Sequence, residues 1–133
     1  MLIYGVAKYT GKLTSERARE ASLDFDIAGC NETRIAALAR ELGVPYRIFG
    51  VDDAAALRFG LDGICFVLNC AGPFAGTAEP MMDACIATDH LDITAEFKVY
   101  ALAEAWSERA ATAGVMLLPG VGWDVVPSNC LAL

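Results

Sequence analysis

Residues 1–11 read MLIYGVAKYTG. Leu2, Ile3 and Tyr4 form a short apolar run that predicts a buried strand. Gly5 ends it in a tight turn, and Thr10-Gly11 then opens a helix. A strand that ends in a glycine turn and feeds a helix N-terminus is how a parallel α/β sheet builds an anion site. The free backbone N–H groups and the helix dipole both favour negative charge there. The usual form of such a turn is G-x-x-G-x-x-G. Here Gly5 and Gly11 hold the outer positions, and the middle one is Lys8.

Composition narrows the frame around that turn. The chain has 133 residues, room for one domain with a modest core. Hydrophobic residues make up 56% and charged residues 20%, which suits a sheet buried on both faces under alanine-rich helices. The net charge of −7 and the lack of any basic run argue against nucleic-acid binding. Five cysteines with no C-x-x-C pair, and a single histidine, spell out no zinc site. They read as reduced thiols of a cytoplasmic protein, mostly filling the core. No apolar stretch has membrane-spanning length, and the N-terminus lacks the basic start of a signal peptide.

The remaining chain alternates strands and helices. Residues 12–22 hold good helix formers with a weak apolar stripe. Residues 23–28 (LDFDIA) alternate as a strand. Asn31 then caps the clearest helix, with Ile35, Leu38, Ala39 and Leu42 on one face and Gly43 as its stop. Residues 46–51 form a third strand, followed by a short helix carrying Leu57 and Leu61. The unbroken run at 64–69 (ICFVLN) marks a central strand. Beyond the loop at 70–76, Thr77 is expected to cap a helix with Pro80 in its first turn and Met81, Met82, Cys85 and Ile86 inward. His90 begins a strand over 90–93 and is expected to be exposed. Thr94 caps a long helix ending near Gly114, and 115–118 form the last strand. Pro127-Ser128-Asn129 starts a further helix that the sequence barely enters, so a second domain is expected after this one. The pattern predicts a doubly wound parallel α/β sheet, the Rossmann fold, with six strands in the order 3-2-1-4-5-6.

In such a sheet, ligands bind beyond the carboxyl ends of the strands, where the strand order reverses. Four loops lie there. In the first, Lys8 admits three readings: an ammonium aimed at phosphate, a side chain filling the phosphate space, or a solvated charge. A left-handed backbone at Lys8 would cost on the order of 1 kcal/mol relative to glycine. In the second loop, Cys30 and Asn31 stand where an acidic residue would select NAD. Its absence favours NADP(H) over NAD(H), with Arg34 as the one substitute for a phosphate-binding arginine. In the third, Asp52 faces the adenine side and Asp53 is expected only to cap. In the fourth, Asn69, Cys70, Ala71, Gly72, Pro73 and Phe74 run beside the nicotinamide end, with Phe74 as a wall. Asp92, Glu96 and Asp124 are the candidates for proton chemistry, and helix capping explains each equally well. No catalytic set or metal site can be assembled from them.

Five stretches together resemble the N-terminal NAD(P)-binding domain of the saccharopine dehydrogenase-like family, which includes saccharopine reductases and trans-acting enoyl reductases. They are IYGVAKYTGKL (3–13), IAGCNETRIAALARELG (27–43), VLNCAGPF (67–74), HLDITAE (90–96) and GVMLLPGVGWDVVPSNCLA (114–132). The resemblance implies dinucleotide contacts at Gly5, Tyr9, Thr10, Gly11, Cys30 and 70–74. It also implies a substrate domain after this one, and hydride transfer to a small-molecule substrate. The chain departs from the family at Lys8, in place of the middle glycine, and at Cys30, in place of an arginine that marks NADP use. Two alternatives stand beside the oxidoreductase reading: a dinucleotide-sensing module without turnover, and a scaffold that forms a homodimer through its exposed apolar surface.

Overall fold

The computed structural model describes residues 1–122 and 125–131, and Asp124 lies outside them. Six strands, β1 (Leu2–Tyr4), β2 (Asp26–Gly29), β3 (Tyr46–Ile48), β4 (Phe66–Asn69), β5 (Asp89–Asp92) and β6 (Leu117–Leu118), form one sheet. The order is β3-β2-β1-β4-β5-β6 and every pairing is parallel. This is the expected doubly wound order. The reversal point lies between β1 and β4, whose ends pair Tyr4 with Asn69.

Alternation along β1 divides the core. Ile3 points to one face, with Ile27, Ile35, Leu38 and Cys70, under α1 (Tyr9–Glu20) and α2 (Glu32–Leu42). Leu2 and Tyr4 point to the other, with Val67, Leu57, Met81 and Cys85, under α3 (Ala54–Gly60) and α4 (Phe74–Ala84). A third cluster joins α4 to α5 (Phe97–Ala105) through Ala78, Met82, Val99 and Ala103. The helix α6 (Ser107–Ala113) and a short α7 (Val126–Leu131) complete the chain. Among the described residues no helix is long and apolar enough to cross a membrane.

The helix α2 forms as its sequence dictates. Asn31 accepts from the Arg34 amide, and Gly43 closes the helix in the left-handed conformation. Several expectations are corrected. The second strand starts at Asp26, because Leu23 is exposed and the chain first turns through Ser22. Thr77 does not cap α4; it sits inside the helix, which begins three residues earlier, and its hydroxyl donates to the Ala71 carbonyl. Pro80 is therefore also interior. Thr94 is not the cap residue of α5; its hydroxyl accepts from the Glu96 amide one turn earlier. The long helix is two, divided at Trp106. His90 is fully buried, not exposed, since it points inward from β5 against Asp92. Of the five cysteines only Cys70 and Cys85 fill the core; Cys30, Cys65 and Cys130 are exposed, and all five are free thiols.

Candidate active site

Two glycines fix the turn after β1. Gly5 has φ +88°, and a Cβ there would lie 2.7 Å from the Ala71 amide nitrogen. The turns after β1 and β4 thus touch backbone to backbone. A Cβ on Gly11 would meet the Gly5 carbonyl oxygen at 2.5 Å, so α1 packs directly on the turn that feeds it. At Lys8 the backbone is extended, with φ −106° and ψ 165°, and no left-handed cost arises. Lys8 is the cap residue of α1, but its side chain makes no capping bond and the first turn holds no acidic residue. The ammonium crosses to the opposite loop and donates to the Gly72 carbonyl at 2.5 Å.

The turn after β4 is braced on every side. Asn69 Oδ1 accepts from the Ala71 amide at 3.0 Å, while Thr77 Oγ1 donates to the Ala71 carbonyl at 2.7 Å. The Gly72–Pro73 peptide is cis. Both carboxylate oxygens of Glu96 accept from α4, from the Phe74 amide at 2.7 Å and the Ala75 amide at 2.8 Å.

Between these turns lies a cavity of about 220 Å³. Of the residues expected to bind a cofactor, Gly5, Lys8, Cys30, Asp52, Ala71 and Gly72 line it. The others are placed elsewhere. Gly11 is buried in α1 against the Gly5 turn, and Tyr9 and Thr10 are exposed at the start of the same helix. Asn31 caps α2, and Arg34 is exposed outside the cavity lining. Asn69 braces the turn. Cys70 points into the core beside Ile3 and Ile27. Pro73 precedes α4, and Phe74 packs in the α4–α5 cluster instead of walling the cavity. Asp53 accepts from the Ala55 and Ala56 amides, the capping role expected of it.

Sequence reasoning missed Tyr4, Ala7, Gly29, Gly50, Val51 and Thr77, which complete the lining. Tyr4 and Gly29 end β1 and β2, and Ala7, Gly50 and Val51 lie in the loops that follow β1 and β3; that position is the signal that could have found them, whereas Thr77 lies inside α4. Tyr4 stacks on Phe49 with ring centroids 5.3 Å apart, and its hydroxyl donates to the Phe49 carbonyl at 3.2 Å. Burial, helped by Cys30 and Asp52 nearby, pushes its pKa to about 12, so the phenol stays neutral.

Of the carboxylates proposed for proton chemistry, the two among the described residues, Asp92 and Glu96, lie outside the cavity lining. Asp92 is fully buried; Oδ1 accepts from the Thr94 amide at 3.0 Å and the Gly120 amide at 3.3 Å, and Oδ2 lies 3.2 Å from His90 Nε2. Glu96 has both oxygens committed to α4. Cys70 is no nucleophile at neutral pH, since burial pushes its thiol to about 11.

No protein-family model matches the sequence. Known proteins do. A saccharopine dehydrogenase-like oxidoreductase of Mus musculus is 28% identical over 97% of this chain and 35% of its own length. The Mycobacterium tuberculosis protein named as a trans-acting enoyl reductase is 29% identical over 97% of this chain and 33% of its own. The chain thus spans about a third of the length of these relatives. Among solved structures, saccharopine dehydrogenase (L-Glu forming) from Saccharomyces cerevisiae superposes with a TM-score of 0.83, at 16% identity, over 98% of this chain and 29% of that one. A short-chain dehydrogenase/reductase from Mycobacterium ulcerans superposes at 0.72, with 12% identity, over 89% of this chain and 64% of that one. The chain is a Rossmann-fold polypeptide similar, over nearly its whole length, to part of the saccharopine dehydrogenase-like oxidoreductases.

Proposed function

We propose that this chain is the cofactor-binding domain of an oxidoreductase, and that the cavity between the two turns holds the diphosphate and adenosine part of a nicotinamide dinucleotide. One observation carries the reading: the loops after β1, β2, β3 and β4 converge on a single cavity at the carboxyl end of the sheet, where the strand order reverses. Its residues fit the group. The first turn of α1 has no carboxylate or capping side chain of its own, which leaves its N–H groups and dipole for an anion. The volume is below the roughly 300–1,000 Å³ of whole-ligand sites, as suits a cavity that encloses only part of a long cofactor.

The bound cofactor supplies the hydride, and the chain's residues bind and orient it. Gly5 and Ala71 bring backbone close to the diphosphate. Tyr4, as a neutral phenol, floors the cavity. Asp52 stands on the wall at the adenosine end, and Arg34 does not. A 2′-phosphate there would face a carboxylate and no guanidinium, so we favour NAD(H). This reverses the preference for NADP(H) drawn from the missing acid after β2. The substrate and the groups that exchange protons with it would come from a further domain, as Asp92 and Glu96 are committed within this one. The chain by itself would therefore bind cofactor without turning it over.

Titration calorimetry with NADH and NADPH, paired with thiol labelling, tests this. Cys30 is exposed and lines the cavity, whereas Cys65 is exposed outside its lining. Saturable binding that slows alkylation of Cys30 and leaves Cys65 unchanged is the expected result. Absence of heat and of protection with both nucleotides would overturn the reading.

A further inference from the structure

We infer that Lys8 is a diphosphate ligand that doubles as a strap, holding the turns after β1 and β4 together while it contacts the phosphate. The inference rests on the dinucleotide reading above and adds a residue to it. Lys8 is exposed, so burial does not hold its side chain in place, yet its ammonium reaches a carbonyl 64 residues away in sequence. An ammonium has three donors, and Gly72 takes one. Two remain beside the cavity that Lys8, Gly5, Ala71 and Gly72 line together.

Charge gives the second argument. Lys8 occupies the cap position of α1, where the dipole is already positive and an acidic or hydroxyl side chain is the favoured occupant. The next three helices follow that rule with side chains of this chain. Asn31 fills the start of α2, Asp53 the start of α3, and Glu96 the start of α4. At α1 a cation sits on a positive helix end in a chain of net charge −7. An anion placed between the ammonium and the α1 amides satisfies both. A diphosphate ester suits the site because it presents oxygens on two phosphorus atoms, one for the helix start and one for the ammonium. Lys8 thus supplies by charge what a middle glycine supplies by close backbone approach.

The test compares the unaltered chain with K8M, K8R and K8G, titrated with NADH, ADP and adenosine at low and high salt. Urea unfolding checks that each variant is folded. Losing one charge-assisted contact weakens binding about tenfold to a hundredfold. K8M is expected to lose that much for NADH and ADP and nothing for adenosine, with a shallower salt dependence. K8R is expected to bind close to the unaltered chain, and K8G to behave like K8M. If folded K8M binds NADH and ADP as tightly as the unaltered chain, or K8G binds them more tightly, Lys8 is a bystander or a plug and the inference fails alone. If the unaltered chain binds none of the three, the inference and the dinucleotide reading fall together.

Discussion

After β1 the chain turns at Gly5 and enters α1 through Lys8; after β4 it turns at Gly72 and enters α4 through Pro73. Both turns lie at the reversal point of the sheet and touch each other at Gly5 and Ala71. Both open a helix whose first amides need acceptors. They differ in what stands there. At α4 the chain supplies its own anion, with Glu96 bridging two successive amides. At α1 it supplies none and places a cation beside the opening. Two helix starts of one architecture therefore differ: one is a closed structural joint, and the other, without a side-chain cap of its own, is the one proposed to take a ligand. A glycine turn into a helix is in itself neutral between these outcomes. The carboxylate that decides comes from a loop remote in sequence.

The comparison can be broken most severely at the contact between the turns. Gly5→Ala forces a side chain into a left-handed position and against backbone of the neighbouring turn. Overpacking of about 1–3 kcal/mol and a backbone cost of about 1 kcal/mol combine, so urea unfolding should register a loss of about 2–4 kcal/mol. A loss under 1 kcal/mol would mean that the turns separate easily and are not one unit.

Each turn also carries a buried ionisable group, Tyr4 before Gly5 and Cys70 before Ala71. Burial raises Cys70 from the usual 9.0 to about 11 and Tyr4 from 10.0 to about 12. The unfolded chain releases these protons first. Stability is therefore fully present below about pH 9 and is lost as pH rises through 11 and 12. Each group accounts for at most roughly 3 kcal/mol of that fall. Unfolding free energies measured at pH 8, 9.5 and 11 should decline, and a Cys70→Ala variant should decline less. A flat profile would show that neither group is held away from water.

Glu96→Ala removes the joint at α4 and should cost about 1–2 kcal/mol, with amide exchange quickening at Phe74 and Ala75. Dinucleotide binding at α1 should stay close to normal. If binding is lost as completely as the cap, the two helix starts do not have separate roles.

The smallest effect converts one turn into the other. Lys8→Asp puts a capping side chain on an extended backbone suited to it, and should raise stability by about 1 kcal/mol. The same change fills the anion position and should abolish NADH binding. A variant that is more stable and still binds would contradict the assignment of that position to a ligand.

The legible parts of the fold were those set by near neighbours. Asn31 and Gly43 bracket α2 because a cap bonds an amide three residues on and a helix stop needs only a left-handed residue. The run ending at Asn69 reads as central because a strand flanked by two others must be apolar on both faces. Errors came where a distant group overrode a local signal. Thr77 looks like a cap because it precedes an apolar helix stretch, but Glu96 caps α4 earlier and frees Thr77 to bond back to Ala71. His90 looks exposed because histidine is polar, but its place on β5 turns it inward against Asp92. The site was half legible for the same reason. Gly5 and Lys8 stand in one short motif, while Gly50, Val51 and Thr77 join them only through the closing of the sheet.

The sequence by itself determined the alternation of strands and helices, and the parallel sheet and its order. Periodicity, caps and glycine turns act over a few residues, and crossover handedness then leaves little choice of topology. Only the tertiary structure decided that the start of α4 is closed by a remote carboxylate, where the ammonium of Lys8 goes, and that the carboxylates of Asp92 and Glu96 are committed. Those outcomes depend on contacts across 22, 28 and 64 residues, between loops that meet only once six strands have paired.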